Sequence, residues 1–327
     1  MLTPNTSSNT SSNTKALGYT TMLISATLMG CVGLFARNID TSGDMIAFTR
    51  FLVGALGTLA IVLASGKLIN LRGTRLSPAI IFGGISLGLC LAAYVSSTKY
   101  TSLANAVFLI YTGPLFSSIL AAVFLKEKVD KITGCLLSLV FIGTLMILGL
   151  VNYTPETGLS VSLSFKAENM VGDMLGLIAG FGYGLYLFLS RYRTDVTSEI
   201  RSFYNFLFGG LGIGAYLIFN PPSLAMMDGS SWVWLIAMAF FTGFAALGLL
   251  AVAARHLKAA ELACVAYFEC AVGAGIGIMV FGETMTAFQA FGGAMIIIGG
   301  VGQVVASTVV QMWKKSRPSA PLSETAV

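Results

Sequence analysis

The sequence predicts an all-α integral membrane protein, built from ten transmembrane helices that form two inverted repeats of five. Three observations predict this fold: a very apolar composition, ten apolar stretches of membrane-spanning length, and a second half that resembles the first. Hydrophobic residues make up 56% of the 327 residues and charged residues only 10%, whereas soluble domains carry about 25% charged residues. Because so few charges cannot cover a water-exposed surface, the chain needs a lipid bilayer around it.

Ten stretches of the sequence are long and apolar enough, or nearly so, to cross a bilayer as helices, which takes about 20 residues for about 30 Å of hydrocarbon. In chain order they are residues 16–35, 45–65, 78–97, 102–125, 132–151, 173–190, 202–219, 232–254, 260–282 and 285–309. The segments before and after them, 1–15 and 313–327, are expected to be cytoplasmic tails. The first tail is expected to be disordered because it is a run of Ser, Thr and Asn.

Positive charges in the connecting loops predict how the helices are oriented. With the N-terminus placed in the cytoplasm, the cytoplasmic side carries fifteen Lys and Arg residues, and the outer side carries three, Arg37, Lys99 and Lys166. Short cytoplasmic loops are enriched in Lys and Arg, so both termini are predicted to be cytoplasmic. We expect a multi-pass protein of a bacterial-type inner membrane.

The two halves of the chain match each other at nearly the same offset. Shifting the sequence by 154 residues aligns span one with span six, and shifting it by 156 aligns spans four and five with nine and ten. The aligned identities include Gly30 with Gly184, Arg37 with Arg191, Tyr111 with Tyr267 and Glu127 with Glu283. Because each half holds an odd number of spans, the second repeat (156–312) is predicted to lie inverted relative to the first (16–155). Inverted repeats are typical of secondary transporters, which give alternating access to a central site.

Several short motifs carry a family resemblance. They are the segment from Tyr94 to Ala106 (YVSSTKYTSLANA), Tyr111-Thr-Gly-Pro114, Leu125-Lys-Glu127, Gly172-Asp173, Tyr267-Phe-Glu269-Cys270 and Phe281-Gly-Glu283. In this order and spacing they resemble the ten-helix EamA branch of the drug/metabolite transporter superfamily, over about residues 16–310. The resemblance implies a secondary transporter whose third and sixth helices help to line a central cavity. Cys270 replaces a proline that is usual in the family, so span nine is expected to be less kinked than span four.

Two charged residues, Arg50 and Glu269, are predicted to lie deep inside spans. An ionisable group in hydrocarbon costs about 2.5 kcal/mol or more, so each must face protein or a water-filled cavity. Glu269 lies near the middle of span nine, where it either meets a substrate ammonium or a coupling proton, or is a structural carboxyl. Arg50 lies near the outer end of span two, where it either reaches the interface or loop carbonyls, or binds a substrate carboxylate. Asp173, at the start of span six, is expected to be reached by water or headgroups.

Five tyrosines complete the predicted substrate-binding set. Tyr111 and Tyr267 are related by the repeat and lie in mid-span, whereas Tyr94, Tyr183 and Tyr186 lie on spans three and six. An aromatic lining suits a ligand with an apolar or cationic part, and packing in the protein core is the alternative for each ring. Glu127 and Glu283, at the membrane faces, are expected to tie helix ends together or to act as gates.

The predicted function is secondary transport of a small metabolite, such as an amino acid or related amine. The resemblance implies proton-coupled export, with facilitated exchange as the alternative; larger cargoes such as S-adenosylmethionine or nucleotide derivatives stay open. A membrane enzyme is disfavoured because the sequence has one His and no nucleophile motif, and a channel would not need an inverted repeat. No cofactor, metal ion or nucleic acid is expected. The expected partners are the substrate, protons and the bilayer, for a protein that is a monomer or a homodimer.

Overall fold

A computed structural model of the chain describes residues 6–126, 131–154, 158–161, 169–192, 196–225, 227–257, 262 and 265–316. The first half folds into five helical spans. They are formed by α1 (Thr6–Gly30) with α2 (Val32–Arg37), α3 (Gly43–Ala64), α5 (Pro78–Tyr100), α6 (Leu103–Ile110) with α7 (Gly113–Phe124), and α8 (Lys131–Ile147). A short helix, α4 (Leu68–Gly73), connects the second span to the third.

The second half follows the same order. Its spans are formed by α9 (Met170–Leu189), α10 (Ser198–Phe219), α11 (Gly229–Met238) with α12 (Ala246–His256), α13 (Phe268–Phe281) and α14 (Ala287–Ser316). Two features depart from regular α-helix: a π-helix (Ala239–Ala245) joins α11 to α12, and a 3₁₀ turn (Ser190–Tyr192) follows α9. Between the halves, β1 (Val151–Thr154) pairs antiparallel with β2 (Gly158–Val161).

The predicted ten-helix membrane fold is confirmed. In the part of the chain that the structure describes, seven helical stretches are long and apolar enough to cross a membrane. Three shorter apolar helices, Gly134–Ile147, Phe268–Phe281 and Ala287–Gly302, supply spans five, nine and ten. The orientation of the termini stays a prediction.

Both ends of the chain differ from the sequence-based expectation. The first helix begins at Thr6, so Thr6–Thr14 have helical backbone where a disordered tail is predicted. Adding residues to an existing helix costs far less than starting a new one, which explains why polar residues extend the apolar span. The last helix likewise continues to Ser316, beyond the predicted start of the C-terminal tail at residue 313.

Packing between spans repeats from one half to the other. Span three packs along span six, and span eight packs along span one; span four packs against span six, and span nine against span one. In the repeat, span one is equivalent to span six, span three to span eight, and span four to span nine. The contact between spans three and six is therefore equivalent to that between spans eight and one, and the contact between spans four and six to that between spans nine and one. Spans five and ten pack on each other, as do spans two and seven. This is the pattern expected of two structurally equivalent halves.

Glycines allow the closest helix contacts between the halves. A Cβ atom on Gly88 of α5 would collide with the backbone of Gly209 in α10, and one on Gly143 of α8 would collide with the backbone of Gly292 in α14. Small residues let membrane helices approach until their backbones touch. These contacts join span three to span seven and span five to span ten.

Candidate functional site

Spans four and nine are both interrupted, and each interruption lies at a repeat-related tyrosine. In span four, α6 ends before a turn at Tyr111, and α7 then begins with Pro114 in its first turn. Proline has no N–H group and clashes with the preceding turn, which explains this break. In span nine, a turn at Tyr267 precedes α13, although Cys270 stands in place of the proline. The missing proline therefore does not leave span nine continuous, and the expectation that span nine is less kinked than span four stays a prediction.

The hydroxyl of Tyr111, in the first half, forms a hydrogen bond at the break of span nine, in the second half. In a continuous helix the N–H of Cys270 would donate to the carbonyl of Ala266. Here it donates to the carbonyl of Tyr267, at 3.1 Å, and the carbonyl of Ala266 accepts from the hydroxyl of Tyr111, at 3.0 Å. Tyr111 therefore satisfies a backbone group that the break exposes, as buried carbonyls require.

Glu269 lies beside this break, in the first turn of α13. Its Oε2 atom is 2.8 Å from the hydroxyl of Tyr111, whose single proton is shared between Glu269 and Ala266. The N-terminal end of a helix carries a partial positive charge, which favours a carboxylate there. The rings of Tyr111 and Tyr267 pack with their centroids 5.0 Å apart. Glu269 and Tyr111 are only partly buried, so both keep surface that a ligand can contact.

Arg50 reaches the same region from α3 and is 6% exposed. Its Nε and Nη2 atoms donate to the carbonyl of Thr242, both at 3.3 Å, and Nη2 also donates to the sulfur of Met29, at 2.7 Å. Arg50 therefore reaches the carbonyl of a neighbouring span instead of the membrane interface. Thr242 belongs to the π-helix, a distortion often found at functional sites. Arg50 and Glu269 attract each other across the site, but they do not form one of the described ion pairs.

The three remaining tyrosines lie on spans three and six. Tyr94 is 3% exposed, and both Tyr94 and Tyr183 interact electrostatically with Glu269. Tyr183 stacks on Tyr186 with a centroid distance of 6.2 Å, and the hydroxyl of Tyr186 accepts from Asn205 at 3.0 Å. The structure thus brings six of the seven predicted residues together, while Tyr186 lies one ring further away. Whether these residues bind substrate stays a prediction.

The two halves are joined at their predicted outer ends by an ion pair between Arg37 and Glu283, at 2.6 Å. Arg37 also donates to the carbonyls of Thr98 and Thr101, both at 2.8 Å. Both carboxylate oxygens of Glu283 accept from the N–H of Leu103, the first residue of α6, at 2.9 and 3.1 Å. We call this group of contacts the outer closure. It links the ends of spans one, three and nine to the start of span four.

Sequence reasoning found only part of this closure. Glu283 ties helix ends together as expected, whereas its repeat partner Glu127 lies outside the described residues. Arg37 is counted from the sequence only as a charge in an outer loop. Its match with Arg191 in the repeat is the signal in the sequence that marks it. Nothing in the sequence marks Met29 or Thr242 as partners of Arg50.

Comparison with known proteins places this geometry in a family. The sequence profile of the EamA-like transporter family matches residues 16–149 and 170–304. An uncharacterized transporter of Archaeoglobus fulgidus is 29% identical over 283 residues, which cover 86% of this chain and 94% of the relative. The pseudopaline exporter CntI of Pseudomonas aeruginosa is 25% identical over 258 residues, which cover 77% of this chain and 83% of the exporter. A known crystal structure shares the fold, with a TM-score of 0.58 and 18% identity over 92% of this chain and 99% of its own. The chain is therefore a membrane transporter that belongs to the EamA-like transporter family.

Proposed function

We propose that this transporter exports a small amino acid or related amine, in exchange for protons, through a site centred on Glu269. The observation that carries the proposal is the placement of two opposite charges, Arg50 and Glu269, around the interrupted helices. Secondary transporters with repeats bind substrate near mid-membrane, where helices are broken and their ends point at charged groups. An ionisable residue at this depth is a functional candidate by default.

Glu269 has the geometry to hold a substrate ammonium or a proton. Its Oε2 atom is bonded to Tyr111, and the carboxylate keeps further acceptor positions for a ligand. Ammonium and proton would compete for the same oxygen atoms, so binding of one favours release of the other. That competition is the simplest way in which a single carboxyl couples export to proton entry.

Arg50 has the geometry to hold a substrate carboxylate. Its present partners are a carbonyl and a thioether, both neutral, and a thioether is a weak acceptor. A carboxylate makes shorter and stronger bonds to a guanidinium than either of them. A zwitterion could therefore replace these contacts while its ammonium meets Glu269, which favours amino acids over simple amines.

One relative supports the direction of transport. CntI is named as a pseudopaline exporter, so export occurs among proteins similar to this one. The relative is distant, and the cargo proposed here rests on the charges of the site and not on that name.

The test is Glu269→Gln in purified protein reconstituted into liposomes. Counterflow of a panel of labelled amino acids and amines is measured, together with uptake driven by a pH gradient, from roughly pH 5.5 to 8. The amide keeps the size and the hydrogen bond with Tyr111 but cannot exchange a proton. We expect transport of at least one amino acid by the wild type, and loss of its response to the gradient in the variant.

Glu199→Gln is the matched control. It makes the same chemical change at a carboxylate that pairs with Lys67 at 3.0 Å, away from the broken helices. We expect it to transport as the wild type does. If Glu269→Gln also equals the wild type in rate and in pH dependence, Glu269 is a structural carboxyl and the proposal is wrong.

A further inference from the structure

The hydroxyl of Tyr111 has one proton to donate and two acceptors within reach. The Oε2 atom of Glu269 lies 2.8 Å from the hydroxyl oxygen, and the carbonyl oxygen of Ala266 lies 3.0 Å from it. Both distances fit a full O–H···O hydrogen bond, but such a bond weakens steeply when it is bent. The proton of Tyr111 can therefore be given fully to only one of the two acceptors at a time.

The protonation state of Glu269 decides which acceptor receives this proton. An ionised carboxylate can only accept, whereas a protonated carboxyl also carries one donor. When Glu269 is protonated, it can donate to the oxygen of Tyr111, and Tyr111 then donates to Ala266. When Glu269 is ionised, the hydroxyl should turn to the carboxylate, because a hydrogen bond to a charged acceptor is roughly twice as strong as a neutral one. The carbonyl of Ala266 then loses this partner.

A replacement donor for this carbonyl lies one turn further along span nine. The N–H of Cys270 is the group that a regular α-helix would direct to the carbonyl of Ala266, and it donates instead to the carbonyl of Tyr267 at 3.1 Å. That bond has the shorter spacing of a 3₁₀ turn, whose hydrogen-bond geometry is poorer. Transfer of the N–H to the carbonyl of Ala266 would restore the α-helical pattern and close the break.

We propose that Tyr111 couples the protonation of Glu269 to the shape of span nine, which is broken when Glu269 carries a proton and continuous when Glu269 is ionised. Since Glu269 takes up either a proton or a substrate ammonium in the proposed function, this coupling rests on that proposal. Only the proton gives Glu269 a hydrogen to donate, whereas an ammonium leaves the carboxylate an acceptor. The two ligands therefore leave span nine in different shapes, and Tyr111 is the positioning residue that makes the difference.

Glu269 is the group of this site that is expected to change charge between roughly pH 5 and 8. The side chains that interact with it electrostatically come from spans two, three, four and six and from its own helix; they are Arg50, Tyr94, Tyr111, Tyr183 and Cys270. A guanidinium stays charged in proteins, and tyrosine and cysteine ordinarily titrate near pH 10 and 8.5. A conformational change with its midpoint inside this window therefore reports on Glu269.

The test is the distance between spin labels at positions 262 and 279 in the full-length protein in liposomes, measured from roughly pH 5 to 8. Leu262 lies before the break and is partly exposed, and Met279 lies after it and is 82% exposed. The native cysteines are replaced by alanine, which keeps the N–H group of position 270. We expect two distances in the wild type, whose ratio changes by about tenfold over this range.

Two variants should fix span nine in opposite states. Glu269→Gln should keep the low-pH distance at every pH, because its amide can donate to Tyr111 while Tyr111 donates to Ala266. Tyr111→Phe should keep the high-pH distance at every pH, because the carbonyl of Ala266 then has the N–H of Cys270 as its remaining donor. A side chain that only packs in the core would not produce this opposition.

Asp173→Asn and Tyr204→Phe are the matched controls. Asp173 is another carboxyl inside a span and is 3% exposed, so the expectation that water or headgroups reach it is wrong. Its Oδ1 atom accepts from the hydroxyl of Thr101 at 2.7 Å and from the amide of Asn105 at 3.1 Å. The hydroxyl of Tyr204 donates to a backbone carbonyl elsewhere, at 2.9 Å. Both variants should keep the pH response of the wild type, with the same midpoint.

A wild-type distance that does not change with pH would overturn the proposal, as would a full pH response in Tyr111→Phe. Transport in the same liposomes separates this coupling from the proposed function. If Glu269→Gln loses its response to a pH gradient while the wild-type distance is constant, the proposed function stands and the coupling through Tyr111 is refuted. If the distances behave as expected but no amino acid or amine is transported, the coupling stands and the proposed cargo is wrong.

Discussion

The outer closure makes a quantitative prediction about the conformational equilibrium of the transporter. Glu283→Gln removes the charge that Arg37 meets at 2.6 Å, while the amide oxygen can still accept from Leu103. A hydrogen bond to a charged group contributes about 1.5–3 kcal/mol. The two side chains are only 20% and 14% exposed, so solvent screens this pair less than a pair on the surface. We therefore expect the ratio of closed to open outer ends to fall by about tenfold to a hundredfold.

The measurement is the distance between spin labels at Asn38 and Thr284, both exposed near the outer closure, in a background without native cysteines. The wild type should show mainly one short distance, and Glu283→Gln should add a longer one. Glu199→Gln, which alters the ion pair with Lys67, should leave the distribution unchanged. An unchanged distribution in Glu283→Gln would refute the reasoning, because the ion pair would then not hold the outer ends together.

Two further predictions concern the broken helix and the helix scaffold. Tyr111→Phe removes the hydrogen bonds to Glu269 and Ala266 but keeps the ring, so the apparent affinity for substrate should fall at least about tenfold. The control Tyr204→Phe removes one hydrogen bond to a carbonyl elsewhere and should change this affinity less than about twofold. Equal effects of the two variants would contradict the role assigned to Tyr111. Gly88→Ala puts a methyl group against the backbone of Gly209 and should lower the free energy of unfolding by about 1–3 kcal/mol. In contrast, Gly248→Ala, with no atom within 4 Å of the added methyl, should be neutral or slightly stabilising. Unfolding in detergent measures the stability of both variants. Equal stabilities would show that the contact between Gly88 and Gly209 is not tight.

The sequence was sufficient to predict the ten spans, because hydropathy and loop charges depend on the local composition of each segment. It also predicted that Arg50 and Glu269 are the deep charges and that Tyr111 and Tyr267 occupy equivalent positions. These features follow from counting along the chain and from comparing the halves. Placing six of the seven predicted residues together needed only the repeat and the family resemblance.

Other features could not be predicted because they depend on contacts between halves. No proline in the sequence marks the break at Tyr267, and the hydrogen bond that accompanies it comes from Tyr111 in span four. The burial of Asp173 depends on how closely spans four, five, six and ten approach, which composition does not determine. The helical start at Thr6 was missed because a polar segment was assessed by itself, without the helix that it extends.

The two interruptions differ in kind, and this difference has a consequence for the transport cycle. Pro114 cannot donate the backbone hydrogen bond that one regular helix through span four would need at this position, because its ring carries no N–H group. Cys270 keeps its N–H group, so span nine can straighten whenever Tyr111 releases the carbonyl of Ala266. The two repeats are therefore not energetically interchangeable, although their folds correspond. The transporter should spend unequal times facing the two sides of the membrane even without a gradient, and position 270 would contribute to this inherent bias together with the outer closure.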